Sequence, residues 1–328
     1  MKKALIFLSC MFFCCLLFLH SPSAVSAGIQ GFYIWRDSLL PALLPFFVCS
    51  YVMQRLGLPS KLERVSLVLL ALLSGAPAGA RLMAAQQEPD SRTAAILNTV
   101  SPMFIYASYC CGMLGAPHLA LPVLTAHFAA AGAMLLLFPP KLAAVPSASA
   151  DPSPLKLMGE GIVQGMAAML NICGALIFFM ALMAAVRSTL PLPVGCAGAV
   201  FCGMLEMVSG CAELARLSLP YPALAAASAF LFSFGGVCIF AQSLTLCRLN
   251  AGVYFSTKLL QGGLAALIAR LIAPLFPSAA PVYSGISGEA LLSNALSFLQ
   301  AAGVSVTAMA AVLLAGAAAR HKKFIQHT

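Results

Sequence analysis

The chain has 328 residues, 61% of them hydrophobic and only 8% charged, with a formal net charge of +9. A soluble domain carries roughly 25% charged residues. That contrast, with a mean hydropathy of +0.97, excludes a soluble globular protein: apolar runs of about 20 residues, enough to cross about 30 Å of hydrocarbon, recur along nearly the whole length. The basic residues lie between these runs and at both tips, including Lys2, Lys3, Arg55, Lys61, Arg64, Lys141, Lys156, Arg320, Lys322 and Lys323. They form no single face, so the charge points to positive-inside sorting in a lipid bilayer and not to nucleic acid.

Residues 1–27 open with Lys2 and Lys3, an apolar run from Ala4 to Leu19, and the small residues Ala24, Ser26 and Ala27. This fits a cleavable signal peptide and equally a first anchor; with more membrane segments following, we read it as a retained helix. Residues 28–138 form a first repeat. Its next span, Trp35 to Met53, places Trp35 as an interfacial anchor. Pro41 and Pro45 leave the carbonyls of Asp37 and Pro41 without helical donors, so a kinked or unwound span is expected.

Between Val65 and Gln87 the apolar pattern is interrupted by "SGAPAG", with a piece of about ten residues on either side. Each reaches roughly 15 Å, half the hydrocarbon thickness, which is the length of a re-entrant hairpin. Gly75 is suited to ending the first half-helix and Pro77 to opening the second, whose free N–H groups then face the membrane interior. The candidates here are Ser74, Gly75, Pro77 and Gly79, with Arg81 read as an interface residue. In the following span, Thr93 to Leu114, Pro102 leaves the Asn98 carbonyl without its donor, and Asn98, Thr99 and Ser101 supply polar side chains at the same level. His118 to Phe138 completes the half, with His127 read as a satisfied bundle histidine.

The Pro-, Ala- and Ser-rich linker 139–156 divides the chain, and 157–328 form the second repeat. Its spans are Met166 to Val186 and then Pro193 to Cys211, the latter with Glu206, Ser209 and Gly210 at helical spacing. From Tyr221 to Leu246 the first pattern returns around "SFGGVCIFAQ", where Ser233, Gly235 and Gly236 mirror Ser74, Gly75 and Gly79. Gln242 follows on the half-helix beyond this second hairpin. Val253 to Leu275, with Lys258 and Arg270, and Leu291 to Ala318 end the chain before a basic tail.

The expected fold is therefore an all-α polytopic membrane helix bundle, internally duplicated, with two re-entrant hairpins; whether the halves are parallel or inverted stays open. Glycines in membrane helices often serve close packing, but with Ser and Pro at half-span depth in both halves a solute site is the better reading. Glu206 is an intramembrane carboxylate and a functional candidate for that reason; its structural alternative is a pair with Lys258, which itself either complements an anion or snorkels to the interface. Twelve cysteines lie almost wholly in apolar runs without a CxxC pair, and read as soft hydrophobes. The five histidines lack HExxH spacing, so no metal site is expected. No GxxxxGK[ST] loop occurs, which disfavours ATP-driven pumping, and no nucleophile, base and orienting group stand at recognisable spacing, so an enzyme is not expected.

At "SGAPAGA" and "FGGVCIFAQ", and also at "LLPALLPFFVCSYVMQRLG", "NTVSPMFIY" and "GMLEMVSG", the chain resembles the YlbJ-type sporulation integral membrane proteins of the nucleoside-recognition Gate superfamily, from Leu39 to Leu275. It departs from that pattern at Ala76, where the family commonly has a large aromatic, and at Cys238 and Phe240, where it has Ser and His. The resemblance implies a fold similar to that of concentrative nucleoside transporters. It also implies a role in bringing dipicolinic acid across the outer forespore membrane. The expected partners are thus a small anionic solute and the bilayer, with H+ or Na+ as coupling ion, no other cofactor, and homo-oligomerisation left open. A structural or assembly protein of the same membrane is the competing reading, and a nucleoside-type transporter a further one.

Overall fold

The computed structural model describes residues 2–56, 63–84, 86–140, 142 and 153–276. The predicted last span 291–318, the basic tail, most of the 139–156 linker, and Lys61 and Lys141 lie outside the described residues. The described chain is helical throughout, without a strand. Four of its helices are long and apolar enough to cross a membrane: Pro117–Leu137, Pro154–Thr189, Tyr221–Leu244 and Ala251–Leu275. A fifth span results if Lys3–Leu19 and Ser21–Leu39, which meet at 94°, are counted as one. The protein is a membrane-embedded helix bundle.

Helix α1 (Lys2–Leu19) exposes Leu5, Ile6, Phe7, Leu8, Phe12 and Phe18, an apolar surface suited to acyl chains. Helix α2 (Ser21–Ile34) turns Ala24, Gly28 and Gly31 inward. A Cβ on Gly28 would meet the Ile177 side chain at 3.4 Å and one on Gly31 the Met180 sulfur at 3.1 Å, so the small residues of this region serve close packing between helices. Trp35 is not an interfacial anchor. It is buried, and its indole N–H donates to the Met169 carbonyl at 2.8 Å, because a buried indole donor needs an acceptor. The span is not unwound at Pro41 either. Trp35–Leu39 takes a π-helical turn, the Leu40 N–H reaching back to the Trp35 carbonyl, which shifts the donor register just before the proline that lacks one.

Helix α3 (Leu40–Leu56) is followed by α4 (Glu63–Ser74), a turn at Gly75–Pro77, and α5 (Ala78–Ala84). The α6 helix (Ser91–Leu97) ends in a non-helical stretch at 98–101, and a π-helical segment, Phe104–Met113, follows before α7 (Ala120–Leu137). The long α8 (Pro154–Thr189) packs along both α2 and α3.

The second half departs from expectation in two places. Pro193 to Cys211 is not one span: α9 (Gly195–Leu205) and α10 (Met207–Leu214) fold back on each other at Glu206. In a straight helix Gly203 and Gly210 would stand about 10 Å apart along the axis. Here a Cβ on Gly210 would meet the Gly203 amide nitrogen at 2.6 Å and the Ala199 carbonyl at 2.7 Å. Conversely, "SFGG" does not reverse the chain. Helix α11 (Tyr221–Phe234) and α12 (Val237–Leu244) run on as one candidate span of 24 residues, broken where Gly235 and Gly236 take φ of +83° and +97°. Helix α13 (Ala251–Ile272) packs on α11 and α7.

The backbone contact between α9 and α10 predicts that Gly210→Val separates them, at a cost of about 1–3 kcal/mol for overpacking. Gly174→Ala, where a new Cβ meets nothing within 4 Å, is the control and leaves stability unchanged or slightly raised. Melting temperatures of both variants in detergent check this.

Candidate functional site

The turn at Gly75–Pro77, the fold-back at Glu206, the non-helical stretch after α6 and helix α12 meet around one cleft. Its outer part is lined by Ser74, Gly75, Ala76, Pro77, Ala78 and Arg81 from the first turn and α5, by Phe47 and Tyr51 from α3, by Gln164, Asn171 and Ile172 from α8, and by Gln242 and Thr245. The inner part shares Phe47, Ser74, Gly75, Ala76, Ile172 and Gln242 with it and adds Val100, Ser101, Phe104, Glu206, Met207, Val208, Cys238 and Ile239. The inner part is mainly apolar with a few convergent polar groups, the usual make-up of small-molecule sites.

Local chemistry builds each wall. At the first turn the Ala76 N–H donates to the Thr99 carbonyl at 2.6 Å, and the Thr99 hydroxyl donates to the Leu72 carbonyl at 3.2 Å. The turn at Gly75 is thereby stitched to the unwound stretch after α6. No room remains for a side chain at Gly75, where φ is +82° and a Cβ would lie 3.0 Å from the Ser101 amide nitrogen. Asn98 is the clamp behind this junction. Its Oδ1 accepts the Ala80 N–H at 3.0 Å, and its Nδ2 donates to the Ser243 hydroxyl at 2.8 Å and to the Tyr254 hydroxyl at 3.2 Å.

At the second reversal Glu206 caps the helix it precedes. Its Oε1 accepts the Val208 N–H at 3.0 Å, and Oε2 accepts the Ser209 N–H at 2.6 Å and the Ser209 hydroxyl at 2.7 Å. A carboxylate on a helix N-terminus is met by aligned donors, which explains how a carboxylate only 5% exposed is held here. The Gly236 position then fits against this reversal, since a Cβ there would meet the Gly203 carbonyl at 3.1 Å and that of Leu205 at 3.3 Å.

Lys258 does not pair with Glu206 and does not reach the interface. It is fully buried and donates from Nζ to the Asn98 carbonyl at 2.8 Å, behind the cleft wall. His127 is only half satisfied: Nδ1 lies 2.7 Å from the Ser233 hydroxyl, while Nε2 is enclosed with no hydrogen-bond partner among the described residues.

Of the residues singled out from the sequence, Ser74, Gly75, Pro77, Ser101, Glu206 and Gln242 line the cleft. Asn98, Ser209, Ser233, Gly235, Gly236 and Lys258 stand behind it as supports. Gly79 is a packing glycine, where a Cβ would meet the Ala94 carbonyl and the Asn98 amide nitrogen at 2.7 Å. The lining also includes residues that the sequence reading does not assign to the site, among them Gln164, Asn171 and Arg81. Gln164 and Asn171 are seven apart on one face of α8, whose stretch between Glu160 and Arg187 is otherwise apolar, a polar spacing that marks them. Arg81 is exposed at the mouth, and no ion-pair or hydrogen-bond partner is seen for its guanidinium among the described residues. The half-helix N-terminus after Pro77 is largely committed to the protein, since the N–H groups of Ala78, Ala80 and Arg81 are all engaged.

Comparison with family models, curated proteins and solved structures returned no match to the chain.

The clamp role of Asn98 predicts that Asn98→Ala destabilises the fold by about 2–4 kcal/mol, because it strands the Ala80 N–H and takes a donor from the Ser243 and Tyr254 hydroxyls in a dry interior. Thermal unfolding in detergent measures it, and a change within error of wild type would remove Asn98 from this role.

Proposed function

We propose that this membrane protein is a secondary transporter for a small anionic solute and that the cleft between the Gly75 turn and the Glu206 turn is its binding site. The observation that carries the reading is that both turns, the stretch after α6 and the half-helix α12 line one cleft. In lipid, irregular backbone is tolerated only where protein or a polar cavity meets it, and in transporters interrupted segments from two repeats characteristically frame the solute.

The order of elements supports an inverted duplication. A long helix, a reversal, a broken span and a full span follow one another as α3, α4–α5, Ser91–Met113 and α7, and again as α8, α9–α10, α11–α12 and α13. Between the two reversals the chain crosses by Ser91–Met113, by α7 and by α8, so the reversals enter as re-entrant hairpins from opposite sides. In this correspondence the partner of Gly75–Pro77 is Glu206, and that of 98–101 is Gly235–Gly236.

Charge at the cleft supports the anion. Both oxygens of the Glu206 carboxylate are engaged by three donors, which leaves the Arg81 guanidinium, among the described residues of the lining, as the charged group open to a solute. The mouth carrying Tyr51, Arg81 and Thr245 lies toward the ends of α3 and α12, on the side of Arg55, Lys156 and Arg248. By the positive-inside tendency that side is cytoplasmic. With the resemblance to YlbJ-type sporulation proteins, the solute becomes dipicolinate, taken from the mother-cell side of the outer forespore membrane. The amides of Gln164, Asn171 and Gln242 favour, as a second reading, an uncharged nucleoside.

Proteoliposomes holding only this protein separate these readings. Labelled dipicolinate is expected to enter and uridine to be ignored, and Arg81→Ala is expected to raise the KM for dipicolinate about tenfold, the equivalent of one lost charged contact. Entry of uridine alone transfers the site to nucleosides. Entry of neither by intact protein returns the chain to an assembly role.

A further inference from the structure

His127 and Lys258 are the two buried basic groups that the solute site does not use, and their placement is related. His127 is the eighth residue of Ala120–Leu137 and Lys258 the eighth of Ala251–Ile272, the full spans that follow the two broken ones. Each reaches across to the break of the other half. Lys258 donates to the Asn98 carbonyl at the end of α6, and His127 holds Ser233 at the end of α11. The two breaks are also neighbours here, since a Cβ on Gly235 would lie 4.0 Å from Lys258 Nζ.

The two positions are filled differently. At the first break an ammonium group sits at the carbonyl end of α6, where the helix dipole favours a cation; among the described residues no carboxylate pairs with it. At the second break stands a ring whose Nε2 has no hydrogen-bond partner among the described residues. The groups facing His127 are Lys258 from α13, Ser233 from α11 and the Val100 backbone from the stretch after α6; the described residues bring no other charge to it. Val100 also lines the inner cleft, so the ring stands one residue behind the solute.

We propose that the coupling ion is a proton and that it binds at His127, with Lys258 serving as a built-in cation at the opposite break in place of sodium. This rests on the transporter reading above. A proton passes from cleft water to Nε2, forming one N–H bond, and leaves by the same route once the cleft opens on the other side; no other reactant takes part. The protonated ring puts a second cation beside Lys258, which an apolar interior disfavours, and an anion in the cleft in front of Val100 offsets it. Proton and anion therefore strengthen each other's binding, by the same factor in both directions.

The test uses proteoliposomes of the full chain, labelled dipicolinate, and a clamped membrane potential. An inward pH gradient of about one unit is expected to give up to about tenfold accumulation for one proton per solute, unchanged when choline replaces sodium. His127→Gln, which keeps a polar group for Ser233, is expected to abolish accumulation while gradient-free exchange falls no more than about threefold, roughly the scatter of a conservative substitution. Ser233→Ala removes the partner of Nδ1 and is expected to move the pH midpoint of uptake by about half a unit or more, which a merely structural role would not do. Exchange in wild type with accumulation only under a sodium gradient, or full accumulation by His127→Gln, overturns the proton proposal alone. No exchange by intact wild type overturns the transporter reading and this inference with it.

Discussion

Everything in this molecule answers to one constraint: backbone polar groups released inside a hydrocarbon layer must find partners within the protein. The chain breaks its helices at several points in the bundle, and each break is tied off by another element. The Ala76 N–H goes to Thr99, the Thr99 hydroxyl to Leu72, and the Asn98 carbonyl to Lys258. Glu206 serves the first N–H groups of its own following helix. What survives this tying is a cleft whose walls are turns and helix ends, a pocket with polar groups suited to the solute proposed above.

The same constraint sorts the polar residues into two layers. Asn98, Ser233, Lys258 and Ser209 spend their hydrogen bonds on backbone or on other side chains of the protein, and none of them lines the cleft. Ser74, Ser101, Gln164, Asn171 and Gln242 belong to the lining, with Arg81 at its mouth. The glycines divide as well. Gly75 supplies a left-handed turn at the site, while Gly79, Gly203 and Gly210 let backbones approach to contact.

Composition and local turn chemistry made the membrane class, the interruption at Gly75–Pro77 and the break before Pro102 readable from residues alone. The second half misled for physical reasons. "LEMVSG" has polar residues three and four apart, as a continuous helix would, and nothing local reveals that Glu206 caps a reversal; the contact of Gly203 with Gly210 decides it. "SFGG" looks like a reversal because two glycines release the backbone, yet α11 and α12 continue in one direction. Lys258 was placed in the solute site on charge alone, and its partner, the carbonyl of a residue 160 positions away, has no sequence signal. Trp35 likewise was given to the interface by residue type, whereas its N–H is taken by α8.

The most direct trial of the account is an experimental structure of the full chain in a lipid nanodisc, determined with and without dipicolinate. The account predicts the Gly75 and Glu206 turns facing each other at mid-depth, with solute density touching Ser74, Ser101 and Gln242 near Arg81. Turns that lie apart or face the acyl chains, or solute seated elsewhere, would contradict it.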